Sequence, residues 1–435
     1  MRFLCALLLA LSVRAAGAQG GGMPTDPFPF GGETLRVSVL TFGPGDEVFE
    51  RFGHNALRIM DASTGMDLAY NWGMFSFEDP DFLLRFFTGD TRYWVEAFPG
   101  SWLIEVYIAK DREVYEQVLA LTVEQRAAVA ALVTRNALPA NKYYRYDYFL
   151  DNCSTRVRDA LDAVLGGSLQ RRFSVLPTRW TFRSESIRLL SPAGLAQAGG
   201  DIALGPKADV PITAWESMFV PMRLRDFLRD VTVPGADGVP VPLVMSEELV
   251  YKAKRPPEPS ERRGLTIGAW GPILGAWMLL LAPLSIAARR RSRVPAAVMA
   301  AVWYGLTGLI GLILVVMWFG SGHQFWYRNL NLLLVSPIGL VAAVPVARAF
   351  LRGTLSPLAR GFVIAILAQC VLALVLLFSG PQQLGGPMLL TLPAHLGLAA
   401  ALWQHLRIAR SSPAPGATGA LDALGAPLAR RSEST

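Results

Sequence analysis

Residues 151–156 read Asp-Asn-Cys-Ser-Thr-Arg, a sequence typical of a helix start with a cysteine in its first turn. Asn152 belongs to the residue types preferred at helix N-caps. Apolar residues then recur at helical spacing as Val157, Leu161, Val164 and Leu165, and the glycine pair 166–167 ends the pattern. A thiol in the first turn meets free backbone N–H groups and the positive end of the helix dipole, which both favour the thiolate. We therefore predict a helix that presents Cys153 as a candidate nucleophile.

Cys153 is the only cysteine between the two strongly apolar parts of the chain. Cys5 lies in the N-terminal apolar stretch, and Cys370 lies in an apolar run near the C-terminus. An unpaired thiol in an exported segment indicates a function, although a small buried cysteine is the alternative. His54 is likewise the only histidine of this segment, so a base from within it must be His54. The alternative is that His54 is a polar residue at a strand end whose hydrogen bonds are satisfied and which has no part in a reaction.

The segment around these two residues predicts an α+β domain. The chain from about residue 33 to 109 has the alternation and the β-branched and aromatic content of strands, including residues 102–108. Thr122 and Gln125 then form a capping box ahead of an alanine-rich helix that ends near Pro139. We expect His54 on or beside a strand and Cys153 in the first turn of a later helix.

The N-terminus is typical of a signal peptide. Residues 1–18 contain a basic start, a short apolar core and a small-residue cleavage site before Gln19. Arg14, and a length below the ~20 residues that cross a bilayer, argue against a retained anchor. We therefore expect Cys5 to be removed with the signal and residues 19–255 to form the exported domain.

The C-terminal apolar part predicts five transmembrane helices within residues 265–410, after a linker at 256–264. They are expected at about 265–288, 294–320, 330–346, 362–379 and 388–406. Arginines cluster after the first, third and fifth of these spans, at 289–293, 348–360 and 407–410. This places the arginine-rich loops and a disordered tail, residues 411–435, in the cytoplasm, and the exported domain and the loop around His323 on the outer side. The expected location is the bacterial inner membrane with a periplasmic domain.

The net charge of +7 would favour a nucleic-acid partner in a soluble protein. Here many arginines adjoin apolar spans, so membrane topology explains the charge and no nucleic-acid partner is expected. The sequence contains no phosphate-binding glycine loop, metal-ligand cluster or dinucleotide fingerprint, and we expect neither a metal nor another cofactor.

A histidine early in the chain and a helix-start cysteine later reverse the order found in papain. Residues 52–56, Phe-Gly-His-Asn-Ala, followed by residues 151–156 resemble the circularly permuted papain and NlpC/P60 arrangement, to which the lecithin retinol acyltransferases belong. More narrowly, the chain resembles the Lnb family of bacterial lipoprotein N-acyltransferases over about residues 33–340. The further matching features are Tyr70-Asn71-Trp72-Gly73, the segments 214–216 and 219–221, and membrane helices with a loop at His323.

This resemblance implies a permuted papain-like α+β periplasmic domain followed by a five-helix transmembrane bundle. It also implies an activity. Cys153 would take an acyl chain from a phospholipid as a thioester and pass it to the α-amine of a diacylated lipoprotein's N-terminal cysteine. His54 would act as the base. The partners would be the membrane, the phospholipid donor and the lipoprotein acceptor.

Further residues are candidates for supporting roles. Asn71 is a candidate to orient His54, with a plain strand amide as the alternative, and Asn152 is a candidate oxyanion donor or a helix cap. Four residues are candidate substrate contacts: Arg156, Trp72, His323 and Asn329. The apolar cluster Phe82, Leu83, Leu84, Phe86 and Phe87 is expected to be core, with contact to acyl chains or the membrane interface as the alternative. The tyrosines 143, 144, 146 and 148 are expected to be core, with lining of the cleft as the alternative.

Other functions fit parts of the pattern. A phospholipase or thioesterase would share the thioester and use water as acceptor, and a Cys/His peptidoglycan endopeptidase would use the same two residues on a peptide. Five spans are more than such a peptidase needs as a tether. A periplasmic ligand sensor is the non-enzymatic alternative.

Overall fold

The computed structural model describes residues 28, 31–76, 78–235, 238–260, 270–286 and 293–411. The predicted signal peptide, the second half of the linker and the tail from residue 412 lie outside these residues. The described part consists of a sheet-rich N-terminal domain followed by a helical C-terminal region.

A seven-stranded antiparallel sheet organises the described part of the N-terminal domain, in the order β11-β5-β1-β2-β3-β4-β6. Its strands are β1 (Leu35–Phe42), β2 (His54–Asp61), β3 (Asp67–Met74), β4 (Arg92–Pro99), β5 (Val114–Leu119), β6 (Tyr143–Arg145) and β11 (Val244–Tyr251). Short pairs are formed by β7 (Pro177–Thr181) with β8 (Pro211–Thr213), and by β9 (Thr232–Pro234) with β10 (Pro240–Pro242).

Helices cover both faces of this sheet. They are α1 (Phe82–Thr88), α2 (Gly100–Ala109), α3 (Val123–Ala137), α4 (Cys153–Val164), α5 (Ser168–Phe173), α6 (Phe182–Leu190), α7 (Gly194–Ala203), α8 (Ala214–Ser217) and α9 (Pro221–Arg229). Side chains alternate between the two faces of the sheet along β1. Val37 and Val39 lie in the larger core with α3 and α4, whereas Leu40 and Phe42 lie in a smaller core with α2. The core under α3 and α4 includes Cys153.

Two local predictions have opposite outcomes. The capping box is confirmed: Thr122 Oγ1 accepts from Gln125 N–H at 3.2 Å, and Gln125 Oε1 accepts from Thr122 N–H at 3.0 Å. The strand predicted for residues 102–108 is wrong, because these residues form α2. Leu103 and Ile104 bury one helical face against the sheet, so tertiary packing overrides the β-propensity of this stretch.

The C-terminal region contains the helices α10 (Trp270–Ile286), α11 (Arg293–Gly320), α12 (Ile338–Arg352), α13 (Pro357–Ser379) and α14 (Gly385–Ser411). Among the described residues, four segments are long and apolar enough to cross a membrane: Arg293–Gly320, Gln324–Arg352, Pro357–Ser379 and Gly385–Arg407. The described part of α10 is shorter, at 17 residues, so the first of the five predicted spans, residues 265–288, stays a prediction.

The third predicted span, residues 330–346, lies within the apolar segment Gln324–Arg352, but only its later part is α-helical. Residues 324–326 and 330–333 form single 3₁₀ turns, and the α-helix starts only at Ile338. Pro337 occupies the N-cap of that helix, and a proline restricts the residue before it to non-helical conformations. Residues 321–336 thus form a loop at one end of the bundle, called the outer loop below.

The outer loop and the loop between α13 and α14 both bind the N-terminal domain. Asn329 Nδ2 donates to the carbonyls of Ile202 and Ala203, both at 2.8 Å. Asn331 Nδ2 donates to Ile202 O at 2.9 Å, and Gln382 Nε2 donates to Leu204 O at 3.2 Å. The loop around His323, which was predicted to lie outside, and the loop between α13 and α14 therefore both lie at the end of the bundle that carries the N-terminal domain.

The ring of Phe325 anchors the same contact. It is buried in an aromatic cluster of the N-terminal domain, with ring centroids 4.7 Å from Phe149 and 5.1 Å from Phe182. Burial of a phenylalanine at such a junction contributes about 1.5–3 kcal/mol. The hydrogen bonds and this apolar contact together hold the domain against the bundle.

Candidate active site

Two neighbouring strands place a histidine beside an amide. His54 is the first residue of β2, as the sequence predicts, and Asn71 lies in β3, the next strand of the sheet. His54 Nε2 donates to Asn71 Oδ1, because an amide oxygen can only accept. This bond leaves Nδ1 as the unprotonated nitrogen of the neutral ring. Asn71 thus contacts the ring of His54, as predicted. Its role in orienting that ring during catalysis stays a proposal.

Gly73 brings the cysteine to this pair. Its φ of +91° lies in the region that favours glycine, and the pairing of β3 with β4 shifts register between Trp72 and Met74. A Cβ at Gly73 would lie 3.7 Å from Cys153 Cβ and 3.8 Å from His54 Cε1. The bulge therefore lets the backbone pass close to both side chains. Gly73 belongs to the motif Tyr70-Asn71-Trp72-Gly73 quoted above, and the signal for its role is that a glycine inside a strand pattern often marks a bulge.

Cys153 is the first residue of α4 and is 8 % exposed. Burial favours its neutral thiol. Three features favour the thiolate: the charge of a protonated His54, a hydrogen bond from the His54 ring, and the backbone N–H groups of Asn55 and Ser154. These effects together outweigh burial, so the pKa of Cys153 lies below that of an ordinary thiol. The arrangement therefore favours an activated nucleophile.

The lowered pKa of Cys153 predicts reactivity at pH values where an ordinary thiol is mostly protonated. The rate of alkylation by iodoacetamide should rise with pH and level off below the usual thiol pKa of about 8.5. In His54→Ala the profile should move to higher pH, because burial then acts without the opposing charge. Peptide mass spectrometry of the Cys153 peptide measures both profiles. A wild-type midpoint at or above about 8.5 would show that the thiol is not activated.

Three tyrosines lie near the thiol. Burial raises the pKa of Tyr107, Tyr144 and Tyr146 above the ordinary value, and the negative charge of a Cys153 thiolate adds to the effect. Their hydroxyls therefore stay neutral in a site largely shielded from water. Tyr144 packs against the main core, as expected, and lining of the cleft by these tyrosines stays a prediction. Tyr107 was missed by the sequence analysis, because it lies on the helix α2 that was predicted as a strand.

Asn152 is a structural cap, and its amide leaves no donor for an oxyanion. Its Oδ1 accepts from the N–H groups of Ser154 and Thr155, both at 2.9 Å. Its two Nδ2 hydrogens are used by the carbonyls of Tyr148 and Phe219, both at 3.0 Å. The structure therefore contradicts the predicted oxyanion role of this side chain. The N–H of Cys153 opens the helix and is not used by the cap.

Two predicted substrate contacts of the N-terminal domain have different settings. Trp72 is 2 % exposed within the main core, so the structure places it in packing rather than in contact with a substrate. Arg156 forms a bidentate ion pair with Asp151, and its guanidinium lies 4.2 Å over the ring of Tyr144. Because Tyr144 faces the thiol, Arg156 stays a candidate contact at the rim of the site.

The two predicted contacts on the outer loop serve the junction between the domains. Asn329 is 1 % exposed and its amide is used by the carbonyls of α7, so the structure contradicts its predicted role in substrate binding. The ring of His323 is buried, with Nε2 2.5 Å from Phe86 O and the ring stacked on Tyr148 at 5.8 Å. His323 thus holds α1 at the outer loop.

The apolar cluster of α1 is not packed into the core. Leu84 is 64 % exposed, Phe87 is 51 % and Phe86 is 37 %. The expectation of core packing is therefore wrong for these three side chains.

No group of three or more His, Cys, Asp or Glu side chains in the described ranges has the arrangement of a metal site.

Two family models match the chain. Residues 30–191 match the Lnb N-terminal periplasmic domain, and residues 266–406 match the Lnb transmembrane domain. The first range contains His54, Asn71 and Cys153, and the second contains the outer loop. Searches of curated proteins and of solved structures found no match.

Proposed function

Since the chain belongs to the Lnb family, we propose that it is a lipoprotein N-acyltransferase of the bacterial inner membrane, with its N-terminal domain in the periplasm. One observation carries the proposal. The group of Cys153, His54 and Asn71 lies in a domain that is fastened to one end of a bundle of apolar helices. Such a site meets substrates whose acyl chains stay in the bilayer.

The first step forms a thioester. The Cys153 thiolate attacks an ester carbonyl of a phospholipid, and the N–H of Cys153 is a candidate donor to the resulting oxyanion. When the C–O bond breaks, the imidazolium of His54 gives its proton to the departing oxygen. A lysophospholipid leaves, and the acyl chain stays on Sγ. Asn71 fixes the ring so that the unprotonated nitrogen faces the thiol during this exchange.

The second step forms the amide. The α-amine of a diacylated lipoprotein's N-terminal cysteine attacks the thioester, and His54 takes the proton that the amine loses. The C–S bond breaks, and the thiolate is regenerated. His54 donates a proton in the first step and accepts one in the second, so a single histidine serves both steps. Arg156, at the rim of the site, is the candidate contact for a substrate phosphate.

Three other functions share parts of this site. A phospholipase or thioesterase would form the same thioester and hydrolyse it, whereas an endopeptidase would acylate Cys153 with a peptide. A ligand sensor would need no thiolate, and the lowered pKa of Cys153 argues against it. The docking of the domain on the bundle favours lipid substrates over peptidoglycan.

Purified wild-type protein distinguishes these functions. With phospholipid alone, intact-protein mass spectrometry should detect an acyl adduct, located on Cys153 by peptide mapping. A diacylated lipopeptide with a free α-amine should discharge the adduct into a triacylated product, and the same lipopeptide with a blocked amine should not. Release of free fatty acid without a lipopeptide product would instead indicate a phospholipase. Cleavage of murein peptides without a lipid adduct would indicate the endopeptidase.

A further inference from the structure

The exposed face of α1 lies at the junction with the membrane helices. The N–H of Gly322, just beyond the end of α11, donates to Thr88 O at 2.7 Å, and His323 holds Phe86 O from the same loop. The last turn of α11 presents Phe319 with 78 % of its surface exposed. The apolar side chains of Leu84 and Phe87 are therefore next to a surface that has the composition of a lipid-facing helix.

A line of aromatic rings leads inward from α1. Phe86 lies 6.4 Å from Phe82, and Phe82 lies 5.5 Å from Phe75, measured between ring centroids. Phe75 lies 5.2 Å from Tyr93, which stacks on Tyr146 at 4.2 Å. Each ring is within contact distance of the next, so the line is continuous and aromatic along its length.

This line ends at the thiol. The ring of Tyr146 comes within 4.0 Å of the point where a Cβ would stand on Gly73, and Cys153 Cβ lies 3.7 Å from the same point. A Cys153 thiolate also contributes to the raised pKa of Tyr146. The aromatic line thus connects the exposed face of α1 with the candidate nucleophile.

A small pocket beside the line adds charge. Phe82 and Tyr93 form part of its wall, and Arg85, Arg92 and Asp79 are its charged lining residues. Arg85 Nη1 also lies 3.7 Å from Asp90 Oδ2 in an exposed ion pair. Apolar rings beside arginine side chains suit an amphiphile with an anionic head, since guanidinium groups bind phosphate and rings pack against acyl chains.

We propose that α1 is the entrance for the donor phospholipid. The exposed side chains of Leu84 and Phe87 enter the outer face of the bilayer, and the acyl chain to be transferred lies along Phe82, Phe75 and Tyr93 with its ester carbonyl at Cys153. The inference rests on the proposed function, because it requires that a membrane lipid acylates Cys153. It adds the route by which that lipid leaves the bilayer.

The double variant Leu84→Ser/Phe87→Ser tests this entrance. Both side chains are largely exposed, so their loss costs the fold little. In proteoliposomes of phosphatidylethanolamine and phosphatidylglycerol, its rate of adduct formation on Cys153 should fall at least about tenfold, because apolar contact with the bilayer is lost. With p-nitrophenyl butyrate, a water-soluble acyl donor, the rate should stay within about twofold of wild type, since this ester needs no bilayer entrance.

Met245→Ser is the matched control. Met245 is 68 % exposed, close to Leu84 in exposure, and lies on β11 at the opposite edge of the sheet. This variant should equal wild type with both donors. The proposed entrance would be wrong if the double variant and wild type formed the Cys153 adduct at equal rates in proteoliposomes. It would also be wrong if the double variant lost the same fraction of its rate with both donors. Absence of an adduct on the wild-type protein in proteoliposomes would instead contradict the proposed function.

Photocrosslinking gives a second measurement. A phospholipid with a diazirine in its acyl chain is reconstituted with Cys153→Ala, which binds the donor without consuming it. After irradiation, lipid-modified peptides should include Phe82–Thr88 and the peptides that carry Phe75 or Tyr93. Crosslinks confined to the bundle helices would overturn the route.

Discussion

Cys153→Ala is expected to lower acyl transfer at least about 10³-fold, to background, because the nucleophile of both steps is removed. Neither the adduct nor the triacylated lipopeptide should form. The change deletes one sulfur atom from a buried site and should cost only about 1 kcal/mol of folding free energy. Intact-protein mass spectrometry measures the adduct, and the amount of protein in the membrane fraction measures folding.

Cys370→Ala is the control for this prediction. Cys370 is also buried, but it lies in α13 within the bundle and far along the chain from the site. Its replacement should leave the rate of acyl transfer unchanged. Near-normal transfer by Cys153→Ala would rule out the thioester route, whatever the behaviour of the control.

His54→Ala is expected to slow both steps by about 10²–10⁴-fold, the usual contribution of a general acid–base group. The thiolate loses its stabilising charge, so adduct formation slows. The incoming amine loses its base, so discharge of a preformed adduct slows as well. The two rates are measured separately, by adduct growth with phospholipid and by adduct decay after addition of the lipopeptide.

Rescue by imidazole distinguishes a catalytic from a structural role of His54. Removal of the ring opens space beside Cys153 and Gly73, and added imidazole should restore part of both rates. Loss of activity without rescue, together with a lowered unfolding temperature, would indicate that His54 only supports the fold. Discharge at the wild-type rate would show that another group deprotonates the amine.

The sequence predicts the parts of the site that depend on local chemistry. The first turn of α4 could be located, because Asn152, Thr155 and the glycine pair 166–167 are start and stop signals. The pairing of Cys153 with His54 followed from their being the only thiol and imidazole of the exported segment. The role of Asn152 could not be settled this way, since a cap and an oxyanion donor use the same amide. Only the acceptors at Tyr148 and Phe219 decide between them.

The errors lie where distant segments determine the structure. The stretch 102–108 has a strand composition, yet its contact with the sheet makes it a helix that brings Tyr107 near the thiol. Asn329 has the polarity of a substrate contact, and its acceptors are carbonyls about 127 residues earlier in the chain. Neither outcome is encoded in the neighbouring residues, because both depend on which surfaces meet in the folded chain.

The contacts of Asn329, Asn331 and Gln382 have a consequence for biogenesis. The carbonyls of residues 201–204 lie in the last turn of α7 and just beyond it, where a helix lacks backbone donors of its own. Arg183 donates to the carbonyls of Asp201 and Leu204 from within the domain. The side-chain donors to Ile202 O and Ala203 O come from Asn329 and Asn331, more than a hundred residues later, in segments that follow the exported domain in the chain. The end of α7 is therefore completed only when the bundle has assembled. Final folding of the exported domain is coupled to membrane insertion, and a chain truncated before the bundle lacks the partners that finish this helix.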